Sequence, residues 1–402
     1  MRTRATRFMC FFFVLWGCFG VLTAPEQVRS AQLQQTDVFV SGRDGYHTYR
    51  IPSLLVTNNG ALLALCEGRK SSRRDSGNID LLLKRSEDGG KTWGEQQIVW
   101  DDGANTCGNP CPVVDQGSGT IWLLMTWNHG QDNESEIKKN TSKDTRRVFV
   151  SRSGDDGRTW TKPVEITDTA KRQEWRWYAT GPGVGIQLRK GPWRGRLVIP
   201  CDHSVAPSAG NLDGYNSHVI ISDDHGDTWR LGGTIAPKVN ECQVVELVDG
   251  RLRMNMRNYD RTQRARAVAT SSDGGMTWSE VTHDPALIEP ICQASFIRYS
   301  WPNAYDSSRL LFSNPASTDK RVKMTVRLSF DEAKTWPVAK EIHAGPSAYS
   351  CLAALPNGDI ACLYEAGENH PYEKIVLARF ALAWLGEAKK DLTARTATDT
   401  TR

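Results

Sequence analysis

The sequence predicts an all-β protein, and three observations carry that prediction. A turn phrase is written five times, short β-rich runs lie between its copies, and no long stretch has a helical period. The copies are SEDGGKTW from Ser86, SGDDGRTW from Ser153, SDDHGDTW from Ser222, SSDGGMTW from Ser271 and SFDEAKTW from Ser329. Ser and Asp oxygens can bond backbone groups of a tight turn, Gly supplies a positive φ, and the Thr-Trp pair is expected to open a strand whose indole packs between neighbours. The repeat is therefore structural. In the fifth copy Ala333 holds the Gly position, so that turn is expected to be strained or differently shaped.

The copies start 67, 69, 49 and 58 residues apart, the length of a four-stranded antiparallel sheet with its loops. Such sheets arranged radially make a β-propeller. Runs starting at Arg196, His218, Val322 and Lys374 read as strands. Dividing the roughly 350 residues from Thr36 to Leu385 by about 58 predicts six blades, one of them without the phrase, with seven as the less natural alternative. The propeller is assigned to residues 36–386.

Ahead of it, Arg2, Arg4 and Arg7 precede an apolar run from Phe8 to Leu22 and then Thr23-Ala24-Pro25. This reads as an export signal over 1–24, with cleavage near Ala24 and a linker over 25–35; a secreted or periplasmic protein is expected. Lipidation at Cys18, giving an outer-membrane lipoprotein, is the alternative. Residues 387–402 read as a frayed polar tail. Eight of ten cysteines would survive cleavage, and Cys107 with Cys111 is the first disulfide pair to try. Cys66, Cys201 and Cys362 read instead as small buried hydrophobes. A formal net charge of +4 without a basic stripe argues against nucleic acid. No metal, no cofactor and a monomer are expected.

The chemistry points to arginines in otherwise apolar or aromatic phrases: Arg50 in YRIP, Arg257 in MNMRNY and Arg321 in NPASTDKR. Inner strands of a propeller converge on one axis, so residues far apart in sequence can meet there. Three guanidiniums at one point repel each other and lose hydration, which makes sense around an anion held in bidentate fashion. Lys320 neighbours Arg321, and only one of the two can face the centre. Arg253 and Arg327 read as solvated.

With YRIP and the five turn phrases, the chain resembles the exo-sialidase (neuraminidase) superfamily from about Asp37 to Leu385. The resemblance implies a six-bladed propeller that acts on terminal sialic acids of glycans, glycoproteins or glycolipids. It makes Arg50, Arg257 and Arg321 the clamp for the substrate carboxylate, Glu365 the brace of Arg50, and Arg69 a contact to the sugar ring. Tyr349, in GPSAYSCL, takes the place of the nucleophile, and Glu241, in NECQ, that of its base. A phenol has a pKa near 10 and needs such a partner at neutral pH. Glu246 is the weaker candidate for the base. Asp75, a few residues after Glu67-Gly-Arg69, matches the acid that protonates the leaving oxygen. Asp80 competes with it but sits at a strand start.

Trp175 to Gly183 and Trp127-Asn-His-Gly read either as pocket lining or as packing between blades. The charged stretch from Gln131 to Arg147 reads as a long exposed loop, with Asn140 a glycan acceptor in a eukaryotic host. A sialic-acid-binding lectin and a protein-interaction propeller are the rival classes, and hydrolysis is favoured over transfer to sugar acceptors. Linkage preference, and the choice between the N-acetyl and the deaminated sugar, stay open because loop shape decides them.

Overall fold

The repeated phrase folds as one device. In all five copies the residue at the Gly position donates its N–H to the Ser Oγ at 2.8–2.9 Å. The Thr N–H reaches the Asp Oδ1 at 2.9–3.0 Å. Two successive residues take positive φ, for example Gly89 and Gly90 in the first copy and Glu332 and Ala333 in the fifth. Ala333, at φ 60°, keeps the shape of its glycine counterparts; the turn is strained rather than reshaped. The Trp closes the turn and the next strand begins one to four residues later, so the Thr-Trp pair precedes a strand instead of opening it.

The structure, a computed structural model, describes residues 32–304 and 306–386. The segment read as an export signal, most of the assigned linker and the tail from 387 lie outside the described residues. The described chain is all-β, in four sheets of mainly antiparallel strands. Within them the strands follow one another in runs. The first is β2 (Thr48–Val56), β3 (Leu62–Arg69), β4 (Ile79–Ser86) and β5 (Gln97–Trp100). The second is β6 (Thr106–Val114), β7 (Ile121–Asn128), β8 (Arg147–Ser153) and β9 (Val164–Glu165). In the third, β10 (Tyr178–Thr180) and β11 (Ile186–Gln187) both pair with β12 (Leu197–Ser204), followed by β13 (Tyr215–Ser222) and β14 (Arg230–Ile235).

The fourth run is β15 (Val239–Glu246), β16 (Leu252–Asn258), β17 (Ala265–Ser271) and β18 (Thr282–Ile288). β19 (Ser295–Ser300), β20 (Arg309–Pro315), β21 (Val322–Ser329) and the first half of β22 (Val338–Ala354) form the fifth. The second half of β22 continues into β23 (Asp359–Ala366), β24 (Lys374–Ala381) and, from the other end of the chain, β1 (Gln34–Val40). Each turn phrase joins the third strand of a run to the fourth. The last run has no phrase for a physical reason: its fourth strand comes from the N-terminal side, so no third-to-fourth turn exists. β1 begins at Gln34, inside the segment assigned to the linker.

Apolar clusters fill the spaces between neighbouring runs, such as Phe39, Leu54, Leu62, Leu363 and Leu377 between the first and last. Two expectations are corrected here. Cys107 and Cys111 are free thiols: Cys107 packs among Leu81 and Leu123, while Cys111 packs among Val113 and Ile199. The strand they share carries a bulge after Gly108 and sends the two thiols into different clusters. Cys66, Cys201 and Cys362 are buried as expected. Arg327 is not solvated; it is buried, and its Nη1 donates to Asn314 Oδ1 at 3.1 Å. Arg253 is partly buried, 3.9 Å from Asp284.

Candidate active site

One cavity of about 180 Å³ gathers all but one of the eight residues to which the resemblance gives a role: Arg50, Arg69, Asp75, Glu241, Arg257, Arg321 and Tyr349 line it. The last, Glu365, is fully buried directly behind Arg50. Backbone irregularities aim these side chains. The register of β2 shifts between Arg50 and Ser53, and Ile51 has φ 61°, a conformation a β-branched residue adopts only when its surroundings force it. The force is visible. Glu365 Oε1 accepts from the Ile51 N–H at 2.9 Å and the Arg50 Nε at 2.8 Å, while its Oε2 accepts from the Tyr349 N–H at 3.0 Å. A single buried carboxylate thereby fixes the guanidinium and the backbone beside the phenol. Comparable bulges interrupt β6 after Gly108, β15 between Val239 and Cys242, and β22 between Ser347 and Ser350.

Tyr349 donates its hydroxyl to Glu241 Oε1 at 2.5 Å, and Arg257 Nη1 lies 2.7 Å from Glu241 Oε2 and 3.2 Å from the phenol oxygen. Burial, reinforced by the Glu241 charge, pushes the phenol well above its ordinary value, so Tyr349 is neutral at neutral pH. Arg50 and Arg321 stand 5.0 and 5.6 Å from the Tyr349 ring centroid. Tyr372 ties the two together: its ring lies 3.8 Å under the Arg50 guanidinium and its hydroxyl accepts from Arg321 Nη1 at 2.8 Å. Arg321 and Lys320 both precede β21, so strand alternation does not choose between them; the loop turns Arg321 inward and leaves Lys320 exposed.

Asp75 lies on the loop between β3 and β4. Its Oδ1 is 2.7 Å from Arg69 Nη2 and 3.5 Å from Arg50 Nη1, yet the side chain is 59% exposed. Desolvation alone would raise its carboxyl, but Arg69 and Arg50 outweigh it and hold the group at about 2. Arg69 is braced in turn by Glu67 at 2.6 Å. Asp80 is structural. Buried on β4, it accepts from the Tyr46 hydroxyl at 2.5 Å and pairs with Lys70 at 3.1 Å. Glu246 is structural as well, accepting from the backbone of Arg189 and Lys190.

Several lining residues carried no sequence signal. The stretch 131–147 is not simply an exposed loop. Asn133 caps a short helix, α1 (Glu134–Lys139), with a capping box; Glu134 reaches the pocket, and Arg146 is buried in its wall. Asn140 ends that helix in the left-handed region. Asp202, on β12, accepts from Asn240 Nδ2 at 2.7 Å, and its other oxygen has no hydrogen-bond partner among the described residues. Burial, with the charges of Glu241 and Glu134, raises its carboxyl well above the usual range. Trp177 lines the pocket, whereas Trp175 stacks on His203 in the core at 3.5 Å. Trp127 is not in the wall; its indole donates to Asp102 Oδ2 at 2.7 Å. A second cavity of about 760 Å³ opens beyond Asp75, sharing Arg69, Asp75 and Glu134 with the first. Among the described residues no group of three or more His, Cys, Asp or Glu is arranged to hold a metal ion.

Residues 60–362 match the family described as BNR repeat-like domain. The chain is 38% identical to a sialidase of Micromonospora viridifaciens over 88% of its length and 54% of the relative's. It is 32% identical to a sialidase of Bacteroides fragilis over 82% and 62% respectively. Among solved structures, the Hadza microbial sialidase Hz136 superposes with a TM-score of 0.77 at 34% identity, covering 87% of this chain and 69% of that one. The chain belongs to the sialidase family. It spans little more than half the length of the curated relatives named here.

Proposed function

We propose that the protein is a retaining exo-α-sialidase built as a six-bladed propeller, releasing terminal sialic acids from glycoconjugates. Contacts between neighbouring runs support the propeller. β2 packs against β6 and β22, β6 against β10, β15 against β12 and β19, and β19 against β22, a cycle of neighbours expected around a central axis. The observation that carries the chemistry is the 2.5 Å hydrogen bond from Tyr349 to Glu241, set beside Arg50, Arg257 and Arg321 in one cavity. A base beside a neutral phenol and three guanidiniums fit a substrate whose anomeric carbon carries a carboxylate.

In this reading the clamp holds the substrate carboxylate and orients the anomeric carbon over Tyr349. The phenol oxygen bonds to that carbon as its proton passes to Glu241, and the glycosidic bond breaks with the leaving oxygen taking a proton from Asp75. A neutral nucleophile avoids repulsion by the clamped carboxylate. Asp75 is ionised in the free protein, so substrate binding must raise it; a carboxylate arriving at Arg50 adds negative charge next to Asp75 and acts in that direction. Asp75 then takes a proton from water, which attacks the glycosyl-tyrosine, and Glu241 returns its proton to the phenol. The wide cavity beyond Asp75 would receive the leaving group. The basic and apolar start of the chain supports export.

The decisive experiment follows an aryl sialoside by NMR, with the α-anomer expected as first product. Tyr349→Phe is expected to keep the fold and bind sialic acid while turnover falls on the order of 10³-fold. A β-anomer as first product removes the retaining mechanism, and a wild-type rate in Tyr349→Phe removes the nucleophile.

A further inference from the structure

Of the guanidiniums that line the pocket, Arg50, Arg69 and Arg257 each have a carboxylate of their own. Arg321 and Arg146 have none within ion-pair distance among the described residues. The clamp accounts for Arg321, and nothing so far accounts for Arg146. It is 2% exposed, and its Nη atoms bond only to neutral oxygens: Asn128 Oδ1 and Thr126 Oγ1, each at 2.8 Å, and Asn109 Oδ1. Among the described residues its Nε has no acceptor. Burial lowers its pKa to about 10 despite the charges of Glu67 and Glu134, the mark of a desolvated cation without its own counter-charge.

Its position gives this cation a consequence. The Arg146 Cζ lies 3.9 Å from the Trp177 ring centroid, so the guanidinium covers a face of that indole in the wall. Beyond the clamp the lining groups pair as Arg69 with Asp75, Arg146 with Trp177 and Asp202 with Asn240, and the remaining ring substituents of a sugar held by its carboxylate would meet these walls. Each of these walls offers hydrogen-bonding groups. None offers an open apolar cup for a methyl group; the other apolar lining residues are Ala179, which is small, Ile51, which packs beside Tyr349 on the clamp side, and Tyr259, whose ring packs with Trp177 and has the Arg257 guanidinium 5.0 Å from its centroid.

We propose that the pocket selects a sialic acid bearing a hydroxyl where the common sugar carries an acetamido group, with Arg146 as the specificity-determining residue. The inference rests on the sialidase reading and sharpens it. An acetamido group would place its methyl against charge, whereas a hydroxyl supplies a compact oxygen that a guanidinium can bond. Sites built to hydrogen-bond a hydroxyl discriminate more steeply than apolar pockets do.

The test measures kcat/KM for paired aryl glycosides of the deaminated and the N-acetyl sugar. The wild type is expected to favour the deaminated glycoside by about tenfold or more. Arg146→Leu is expected to shrink that ratio by about tenfold, chiefly through loss on the deaminated sugar. A wild type that favours the N-acetyl glycoside, or a variant that loses both activities alike, overturns the proposal. Because removing a buried cation can disturb folding, calorimetric binding of the two free sugars to the wild type is the second readout: tighter binding of the deaminated sugar is expected, and equal or weaker binding overturns the proposal. If neither glycoside is cleaved, the hydrolase reading falls, and the binding comparison still decides the specificity.

Discussion

The five repeated turns and the pocket are built on opposite plans. A turn satisfies itself: Asp155 accepts from Ser153 and Thr159, all within one phrase, and the same bonds recur in every copy. In the pocket, Glu365 bonds Arg50 across 315 residues and Glu241 bonds Tyr349 across 108, and nothing repeats. Local strain in the turns is shared over five equivalent sites. In the pocket, a positive φ at Ile51 and two backbone N–H groups rest on one carboxylate. The repeated part therefore tolerates damage copy by copy, while the unique part has no second copy to fall back on.

The largest expected effect tests that contrast at its weakest point. Glu365→Gln keeps the size but removes the charge facing Arg50 and turns one acceptor into a donor facing the backbone. Loss of one partner from a buried charged pair costs about 3–5 kcal/mol in stability, and kcat/KM is expected to fall on the order of 10²-fold, though Glu365 is buried behind Arg50 and does not line the cavity. Thermal unfolding and sialoside kinetics measured side by side check this. Activity near wild type would mean that Arg50 holds its place without its brace.

The same contrast explains what is legible in the sequence. The turn phrase can be read because all its bonds fall inside eight residues, and the strand runs because their alternation is local. Tyr349, Glu241 and the clamp emerge through family motifs, not through periodicity. Arg146 escapes such a reading because a cation in a charged stretch looks solvated, and its partners Asn109 and Thr126 lie in other strands. Arg327 misleads because its acceptor, Asn314, lies on the neighbouring strand. Tyr372 bridges Arg50 and Arg321 yet stands in a phrase with no distinguishing pattern. The disulfide expected at Cys107 and Cys111 fails because spacing along a chain says nothing about a bulge that parts the two side chains.

A smaller effect is expected in a turn. Desolvation would raise the Asp155 carboxyl, but bonds from Thr159 and Ser153 outweigh it and lower it to about 2. A lowered carboxylate contributes stability above its unfolded value near 3.9, and that contribution is lost as pH falls through about 2. Asp155→Asn is expected to cost about 1 kcal/mol at neutral pH, to flatten the loss of stability between about pH 4 and pH 2, and to leave kcat/KM unchanged. Chemical denaturation across that pH range measures it. A fall in activity alone would tie the turn to the pocket and end the contrast.

The finest test lies among the turns themselves, where five equivalent backbones meet unequal surroundings. At Gly226, with φ 103°, an added Cβ would come within 2.1 Å of the Trp122 ring; at Gly275 the nearest atom, on Val219, would be 3.3 Å away. At Ala333 the methyl is already present and buried among Val245, Leu247 and Trp336. Gly226→Ala is therefore expected to cost about 2–4 kcal/mol, the sum of a strained φ and overpacking. Ala333→Gly sets relief of about 1–2 kcal/mol of left-handed strain against about 0.8 kcal/mol of lost methyl burial and about 0.5–1 kcal/mol of added unfolded-chain entropy. These nearly cancel, so the substitution should shift stability by less than about 1 kcal/mol in either direction. Denaturant midpoints resolve that difference. A gain well beyond it would show that the buried methyl contributes nothing, and that the fifth turn tolerates alanine only through strain absorbed elsewhere.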